Sequence, residues 1–196
     1  MTQEIEIEFK QLIDKYTYEA MLTYFDNIRT PIIAQTNHYF ETENFLLKDK
    51  KSALRVRYKE GDYVLTLKQP YHNSLLETHQ HLNKQAFNDF KQQGVIPDGA
   101  VKKQLSTLLN LQTVSFTYLG YLTTERSEAP IEEGLLVLDK SAYFNTTDYE
   151  LEFECDDYHS GKLFFHNFLE KWQLTWHEPK NKIERFYEAL FTRDSS

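Results

Sequence analysis

The sequence predicts an α+β protein built on a closed, eight-stranded antiparallel β-barrel with a charged interior and with helices packed outside. Charged and apolar side chains alternate in three separate segments, at residues 4–8, 55–59 and 150–154. Each charged column alone also fits the solvated face of a half-exposed sheet. Because like charges aligned on one exposed face repel each other, a shared polar interior explains three such columns better.

Length, charge and cysteine content restrict the class of protein. The 196 residues contain no Pro/Gly/Ser-rich linker, so we expect a single domain over residues 1–196. A formal net charge of -8 argues against general nucleic-acid binding. The single cysteine, the absence of a leader pattern and the lack of a long apolar run lead us to expect a cytoplasmic protein with no membrane role. The sequence leaves a homodimer open.

The first half of the chain is predicted to contain five strands and one helix. Alternating or extended segments lie at residues 4–10, 32–42, 54–59, 63–68 and 74–82. Asp14 is a candidate N-cap for the helix that precedes Pro31. Gly61-Asp62 forms a plausible tight turn, so the strands on either side of it should pair as a hairpin.

The second half is predicted to begin with two short helices and to end with helices. Asn83 is a candidate cap for the first helix, which Gly94 should end, and the second lies near 101–109. Three further strands are expected at residues 113–125, 135–140 and 149–155. After these strands, apolar residues recur at spacings of three and four, which is typical of helices that pack against a sheet.

Oppositely charged columns in one interior suit different parts of one ligand. Carboxylates bind Mg²⁺ or Mn²⁺ as hard oxygen donors. Arginine and lysine bind phosphate oxygens, and arginine often does so through two parallel hydrogen bonds. A metal-bound polyphosphate would satisfy both sets of side chains.

The segment Glu6-Ile7-Glu8-Phe9-Lys10 resembles the N-terminal ExExK signature of the CYTH superfamily, also called triphosphate tunnel metalloenzymes. Further matching residues follow in the order expected for that family. They are Tyr39-Phe40, Arg55-Val56-Arg57, Lys68, Arg126, Asp139 and the late Glu-x-Glu strand. Together these motifs cover nearly the whole chain.

The resemblance implies an eight-stranded tunnel that binds a small triphosphate with Mg²⁺ or Mn²⁺. Carried over by motif position, the implied catalytic residues are Glu6, Glu8, Lys10, Arg55 and Arg57. The implied substrate-binding residues are Lys10, Arg55, Arg57, Lys68, Arg126 and Lys182. The implied metal ligands are Glu6, Glu8, Asp139, Glu150, Glu152 and Glu154.

Some assignments stay open at this stage. The late strand offers three glutamates where the family motif needs two, although Glu152 belongs to either register. Further candidates are Glu4, Tyr39, Glu77 and His79. Glu77, His79 and His81 share one strand face and could bind zinc or ferrous iron, whereas the resemblance implies that Glu77 is another tunnel carboxylate.

The leading functional hypothesis is metal-dependent hydrolysis of the terminal phosphoanhydride of a small triphosphate. Tripolyphosphate, thiamine triphosphate and a nucleoside triphosphate are all candidate substrates. Two alternatives use the same residues: an adenylate cyclase, and a sensor that binds a polyphosphate or a nucleotide without turning it over.

Overall fold

The computed structural model describes residues 2–111 and 113–193. Its strands are β1 (Gln3–Ile13), β2 (Ile33–Glu41), β3 (Ala53–Lys59), β4 (Asp62–Tyr71), β5 (Ser74–Leu82), β6 (Thr117–Ile131), β7 (Gly134–Tyr143) and β8 (Thr146–Cys155). Its helices are α1 (Lys15–Tyr24), α2 (Leu46–Asp49), α3 (Lys84–Gln93), α4 (Ala100–Leu109), α5 (Tyr158–Lys171) and α6 (Lys182–Arg193). The strands form a closed barrel in the order β1-β5-β4-β3-β2-β6-β7-β8, which confirms the predicted fold.

The described residues divide into two compact units. The first unit comprises residues 2–5 and Gln35–Leu122, and the second comprises Glu6–Ala34 and residues 123–193. Each unit contains its own cluster of buried apolar side chains. The expectation of a single domain stays a prediction.

In the first unit, strands β3 and β4 have one apolar face and one charged face. Leu54 and Val56 alternate with Arg55 and Arg57, and the apolar pair packs in a core with residues from α3 and α4. The cap predictions for α3 are confirmed. The Asn83 side chain accepts a hydrogen bond from the third amide beyond it, and the helix ends at a glycine with a left-handed φ of 68°.

In the second unit, strands β7 and β8 are built in the same way. Leu138 and Leu151 pack in a core with residues from α1 and α5. Asp139 and Glu150 point to the opposite face, because successive side chains of a strand alternate. Asp14 caps α1 as predicted, since its carboxylate accepts the Thr17 amide at 2.7 Å.

Two local expectations were wrong. Strand β6 begins at Thr117 and continues to Ile131, beyond the predicted 113–125, because charged side chains on both of its faces conceal the alternation. Helix α2 lies between β2 and β3 and is a second helix in a region that was expected to contain one. The buried Glu41 carboxylate accepts the amides of Leu47 and Lys48 and so holds this helix, which is too short to show a helical period in sequence.

Among the described residues, no helix combines the length and the hydrophobicity needed to cross a membrane.

Candidate functional site

The second unit gathers six carboxylates on the charged faces of β1, β7 and β8. We call this set the acidic group: Glu6, Glu8, Asp139, Glu150, Glu152 and Glu154. Strand register explains the gathering, because Glu8 lies opposite Glu154, and Asp139 lies opposite Glu150. Glu150, Glu152 and Glu154 lie on the same face of β8. All three therefore belong to the acidic group, although the family motif needs only two of them.

The centre of the acidic group is almost inaccessible to solvent. Asp139, Glu150 and Glu152 are 0%, 1% and 6% exposed. One carboxylate oxygen from each lies within 4.8 Å of the others. Oxygen donors that are this close together could hold a hard divalent cation such as Mg²⁺ or Mn²⁺.

Lys182 and Arg126 form ion pairs with these buried carboxylates. Lys182 Nζ lies 2.7 Å from Asp139 Oδ2 and 2.5 Å from Glu150 Oε2, and it also donates to Glu152. Arg126 donates two hydrogen bonds to Asp139, of 2.8 and 2.7 Å, and a third of 2.7 Å to Glu152. Buried charges need such partners, because burial otherwise costs several kcal/mol per ion. The phosphate-binding role that the resemblance implies for Arg126 and Lys182 stays a prediction.

Glu152 and Glu154 lie close together but differ strongly in pKa. Burial alone would raise the pKa of Glu152, but Lys182 and then Arg126 hold that pKa well below its usual range. Burial also raises the pKa of Glu154, and there Glu6 and Glu152 add to the effect, so the pKa reaches about 7. Glu152 is therefore ionised throughout the physiological range, whereas Glu154 titrates near neutrality.

Lys10, the basic residue of the ExExK signature, also lies beside the acidic group. Its Nζ donates to Glu8 Oε1 at 2.8 Å and to Asn181 Oδ1 at 2.5 Å. Asn181 directly precedes α6, and sequence reasoning did not select it.

Arg185 was also missed. It donates to both oxygens of Glu150, at 3.1 and 3.2 Å, and to Asp148 at 2.9 Å. A signal was available, because Arg185 follows Lys182 by three residues on an amphipathic helix, and that spacing places both on one face.

The first unit contains the opposite arrangement on the charged faces of β3, β4 and β5. We call Arg55, Arg57 and Lys68 the basic group. Lys68 lies opposite the buried Glu77 in the β4–β5 pair, with 3.1 Å between Nζ and Oε1, and Arg55 lies 3.8 Å from the same oxygen. Burial acts to raise the pKa of Glu77, but Arg55 and then Lys68 lower it to about 2. Glu77 is therefore an ionised partner of the basic group.

The remaining candidates also lie in the first unit. Arg57 Nε donates to Asn37 Oδ1 at 3.2 Å. Tyr39 is 2% exposed and lies opposite Arg55 in the β2–β3 pair. The third side chain that joins Glu77 and His79 in a cluster is Glu4, where the strand pattern had suggested His81.

A family model described as the CYTH domain matches residues 4–187 of this chain. The chain belongs to the CYTH family. A Bacillus subtilis (strain 168) protein named "Putative triphosphatase YjbK" is 45% identical over 188 residues, which cover 96% of this chain and 97% of that relative. This identity extends the family resemblance from the motifs to nearly the full length.

Solved structures agree with the CYTH assignment. A Bacillus halodurans protein, described as a "putative adenylate cyclase", is 37% identical with a TM-score of 0.88, over 95% of this chain and 100% of that one. The Hippeastrum protein HpAC1 is 20% identical with a TM-score of 0.78, over 95% of this chain and 96% of that one. The second likeness shows a shared fold.

The CYTH motifs thus fall into two sets along the chain. The ExExK segment, Arg126, Asp139 and the late glutamates lie in the second unit. The Arg-x-Arg pair and Lys68 lie in the first. Their individual roles in catalysis stay predictions.

Proposed function

We propose that this CYTH protein hydrolyses the terminal phosphoanhydride of a small triphosphate in a reaction that depends on Mg²⁺ or Mn²⁺. The observation that carries the proposal is the buried trio of Asp139, Glu150 and Glu152, whose oxygens converge within 4.8 Å. The name of the Bacillus subtilis relative, "Putative triphosphatase YjbK", supports the same reaction.

The acidic group fits Mg²⁺ or Mn²⁺, because it offers oxygen donors alone and because its members are held on three paired strands. By motif position, Glu6 and Glu8 would hold the metal together with Asp139 and the late glutamates. The bound metal would supply Lewis acidity and would neutralise charge on phosphate oxygens.

The basic group would bind and orient the phosphates. Arg55 and Arg57 offer planar guanidinium groups that match phosphate oxygens, and Lys68 adds a compact ammonium. Glu77 cancels one of these three charges, so the group keeps a net charge of about +2 for an anionic ligand. Phosphoryl transfer asks mainly for positioning and charge stabilisation, which these side chains can supply.

The substrate is tested by measuring phosphate release from tripolyphosphate, thiamine triphosphate, ATP and GTP, with Mg²⁺ or Mn²⁺ and with a chelator control. We expect phosphate release from at least one compound and the loss of that release on chelation.

Glu8→Gln should lower kcat by at least about 100-fold, since it removes a carboxylate of the acidic group. The matched control is Glu125→Gln, because Glu125 is a half-exposed carboxylate that pairs with Lys140. Equal rates for the two variants would contradict the assignment.

Adenylate cyclase is the second candidate, because the Bacillus halodurans relative that bears that name is 37% identical. The same metal and phosphate ligands would then position a ribose 3'-hydroxyl in place of water. Formation of cyclic AMP from ATP would favour this activity over hydrolysis. If the protein binds one of the four test compounds tightly in the presence of metal but forms no product, a sensor that binds the compound without turning it over would be favoured.

A further inference from the structure

A second set of metal-ligating side chains converges in the first unit, apart from the acidic group. Glu4 lies on β1, and Glu77 and His79 lie on one face of β5. One oxygen or nitrogen atom from each residue lies within 4.8 Å of the others. Glu4 precedes the ExExK signature, and His79 belongs to none of the motifs that carry the family resemblance.

The orientation of His79 points to a cation. Its Nδ1 lies 3.0 Å from Thr66 Oγ1, and its Nε2 lies 3.0 Å from Glu4 Oε1 and 3.5 Å from Glu77 Oε2. A neutral nitrogen lone pair that faced two carboxylate oxygens would be repelled by both. The space between these three atoms therefore suits either a proton on Nε2 or a metal ion.

Glu77 divides its two oxygens between different neighbours. Oε1 faces Lys68 at 3.1 Å and Arg55 at 3.8 Å, whereas Oε2 faces His79. The basic group therefore neutralises one side of the carboxylate and leaves the other oxygen directed at the imidazole. Glu4, whose side chain is 61% exposed, leaves this position open to solvent.

The two distances from His79 Nε2 are compatible with a coordination shell. Ligands bound at about 2.0–2.2 Å, with tetrahedral or octahedral angles, lie roughly 3.0–3.6 Å from each other. The two Nε2–oxygen distances, 3.0 and 3.5 Å, fall in this range without any rearrangement. With Nε2 bound to a metal, Nδ1 carries the ring proton and can donate it to the Thr66 hydroxyl oxygen, 3.0 Å away, and such a hydrogen bond orients metal-binding histidines.

We propose that Glu4, Glu77 and His79 form a second metal site, which takes a divalent transition ion such as Zn²⁺ or Mn²⁺. The imidazole favours such ions over Mg²⁺, whose preferred ligands are oxygens. This site goes beyond the proposed function, because the hydrolysis assigns its metal to the acidic group of the second unit.

The test uses Co²⁺ as the probe, since its visible absorption reports imidazole ligation. The intact, chelator-treated protein is titrated by equilibrium dialysis and by absorption, as wild type, His79→Asn, Glu4→Gln and the matched control His81→Asn. His81 is an exposed residue on the same face of β5, two positions further on. Wild type and the control should bind one more Co²⁺ per chain than His79→Asn, and Glu4→Gln should weaken that ion by at least about 10-fold.

A fourth variant separates the two sites. Glu152→Gln should weaken Co²⁺ binding at the acidic group but leave the His79-dependent ion and its absorption unchanged. Equal Co²⁺ stoichiometry in wild type and His79→Asn would overturn the proposal. So would ¹⁵N NMR spectra in which Nε2 of His79 keeps its proton at saturating Co²⁺. Because the Glu4 side chain is exposed, Glu4→Gln should leave the fold intact, and a change in Co²⁺ binding can then be assigned to the lost carboxylate.

Discussion

The two units of this barrel have the same construction and opposite chemistry. In both, strands turn an apolar face towards packed helices and a charged face the other way. The first unit places Arg55 and Lys68 beside one buried carboxylate, whereas the second places six carboxylates among Lys10, Arg126, Lys182 and Arg185. The comparison shows that the apolar face fixes the architecture, and that the charged face can then take either sign.

The units also differ in how their buried charges are compensated. In the first unit, Lys68 and Arg55 reach Glu77 from neighbouring strands. In the second, Arg126 also reaches Asp139 from a neighbouring strand, but Lys182 and Arg185 come from α6, which follows the last strand. The metal-free stability of the second unit should therefore depend partly on contacts from a helix, which that of the first unit does not use for Glu77.

The largest expected effect comes from removing Lys182, the first residue of that helix. Lys182→Met removes one cationic partner from each of three buried carboxylates and leaves only Arg126 and Arg185 beside them, so we expect the free energy of unfolding of the metal-free protein to fall by about 3–5 kcal/mol. Urea unfolding in the presence of chelator measures it. Lys140→Met is the control, because its half-exposed pair with Glu125 should contribute less than about 1 kcal/mol. Similar losses in the two variants would break the comparison.

The second prediction concerns pH and Glu154. The pKa of this carboxyl is about 7 in the folded protein against an ordinary value of 4.5, so the folded state holds the proton more tightly. This contribution is complete below pH 4.5 and is lost as pH rises through 7. We expect it to remove about 2–3 kcal/mol from the metal-free protein between pH 5 and pH 8.

Urea unfolding across that pH range, with chelator present, checks the prediction. Glu154→Gln should flatten the decline, and the exposed carboxylate variant Glu178→Gln should keep it. An unchanged slope in Glu154→Gln would mean that other groups of the second unit cause the pH dependence.

A third prediction addresses the first unit alone. Glu77→Gln removes the anion between Lys68 and Arg55, so we expect a loss of about 2 kcal/mol in unfolding free energy. Inorganic phosphate should restore part of this loss, because it supplies negative charge to the basic group. Thermal unfolding with and without phosphate measures both effects. If phosphate stabilises wild type and variant equally, the basic group is not where it binds.

The smallest effect is expected on the apolar side of the second unit. Tyr18 is buried, and its hydroxyl has no hydrogen-bond partner among the described residues. Tyr18→Phe should therefore stabilise the protein by about 1 kcal/mol. Tyr143→Phe is the matched control, because that hydroxyl donates to Asp148 at 2.5 Å and its removal should destabilise. Thermal unfolding compares them, and a loss of stability in Tyr18→Phe would contradict the prediction.

Much of the fold could be predicted because its signals are local. The bounds of β5 were predicted correctly, and Asp14 and Asn83 were recognisable as caps from the residues that follow them. Helix α2 escaped, since the Glu41 carboxylate that holds it lies on the preceding strand. The ends of β6 escaped as well, because a strand with charges on both faces has no clear period.

The members of the candidate site were predicted better than their partners. Family motifs identified the members of the acidic and basic groups. No spacing in the sequence indicated that Lys182 would donate a hydrogen bond to Asp139, which lies 43 residues away. The cluster of Glu4 with His79 was missed for the same reason, since the two residues are 75 positions apart.

The sequence by itself determined the barrel, the polarity of its strands and the sign of each charged column, because these follow from which residues alternate. Only the tertiary structure decided which cationic side chain pairs with which carboxylate. Strand register and the position of α6 place Lys182 among three carboxylates and place His79 between two. These pairings depend on distances of a few ångströms between segments that are far apart in the chain, and local pattern carries no information about such distances.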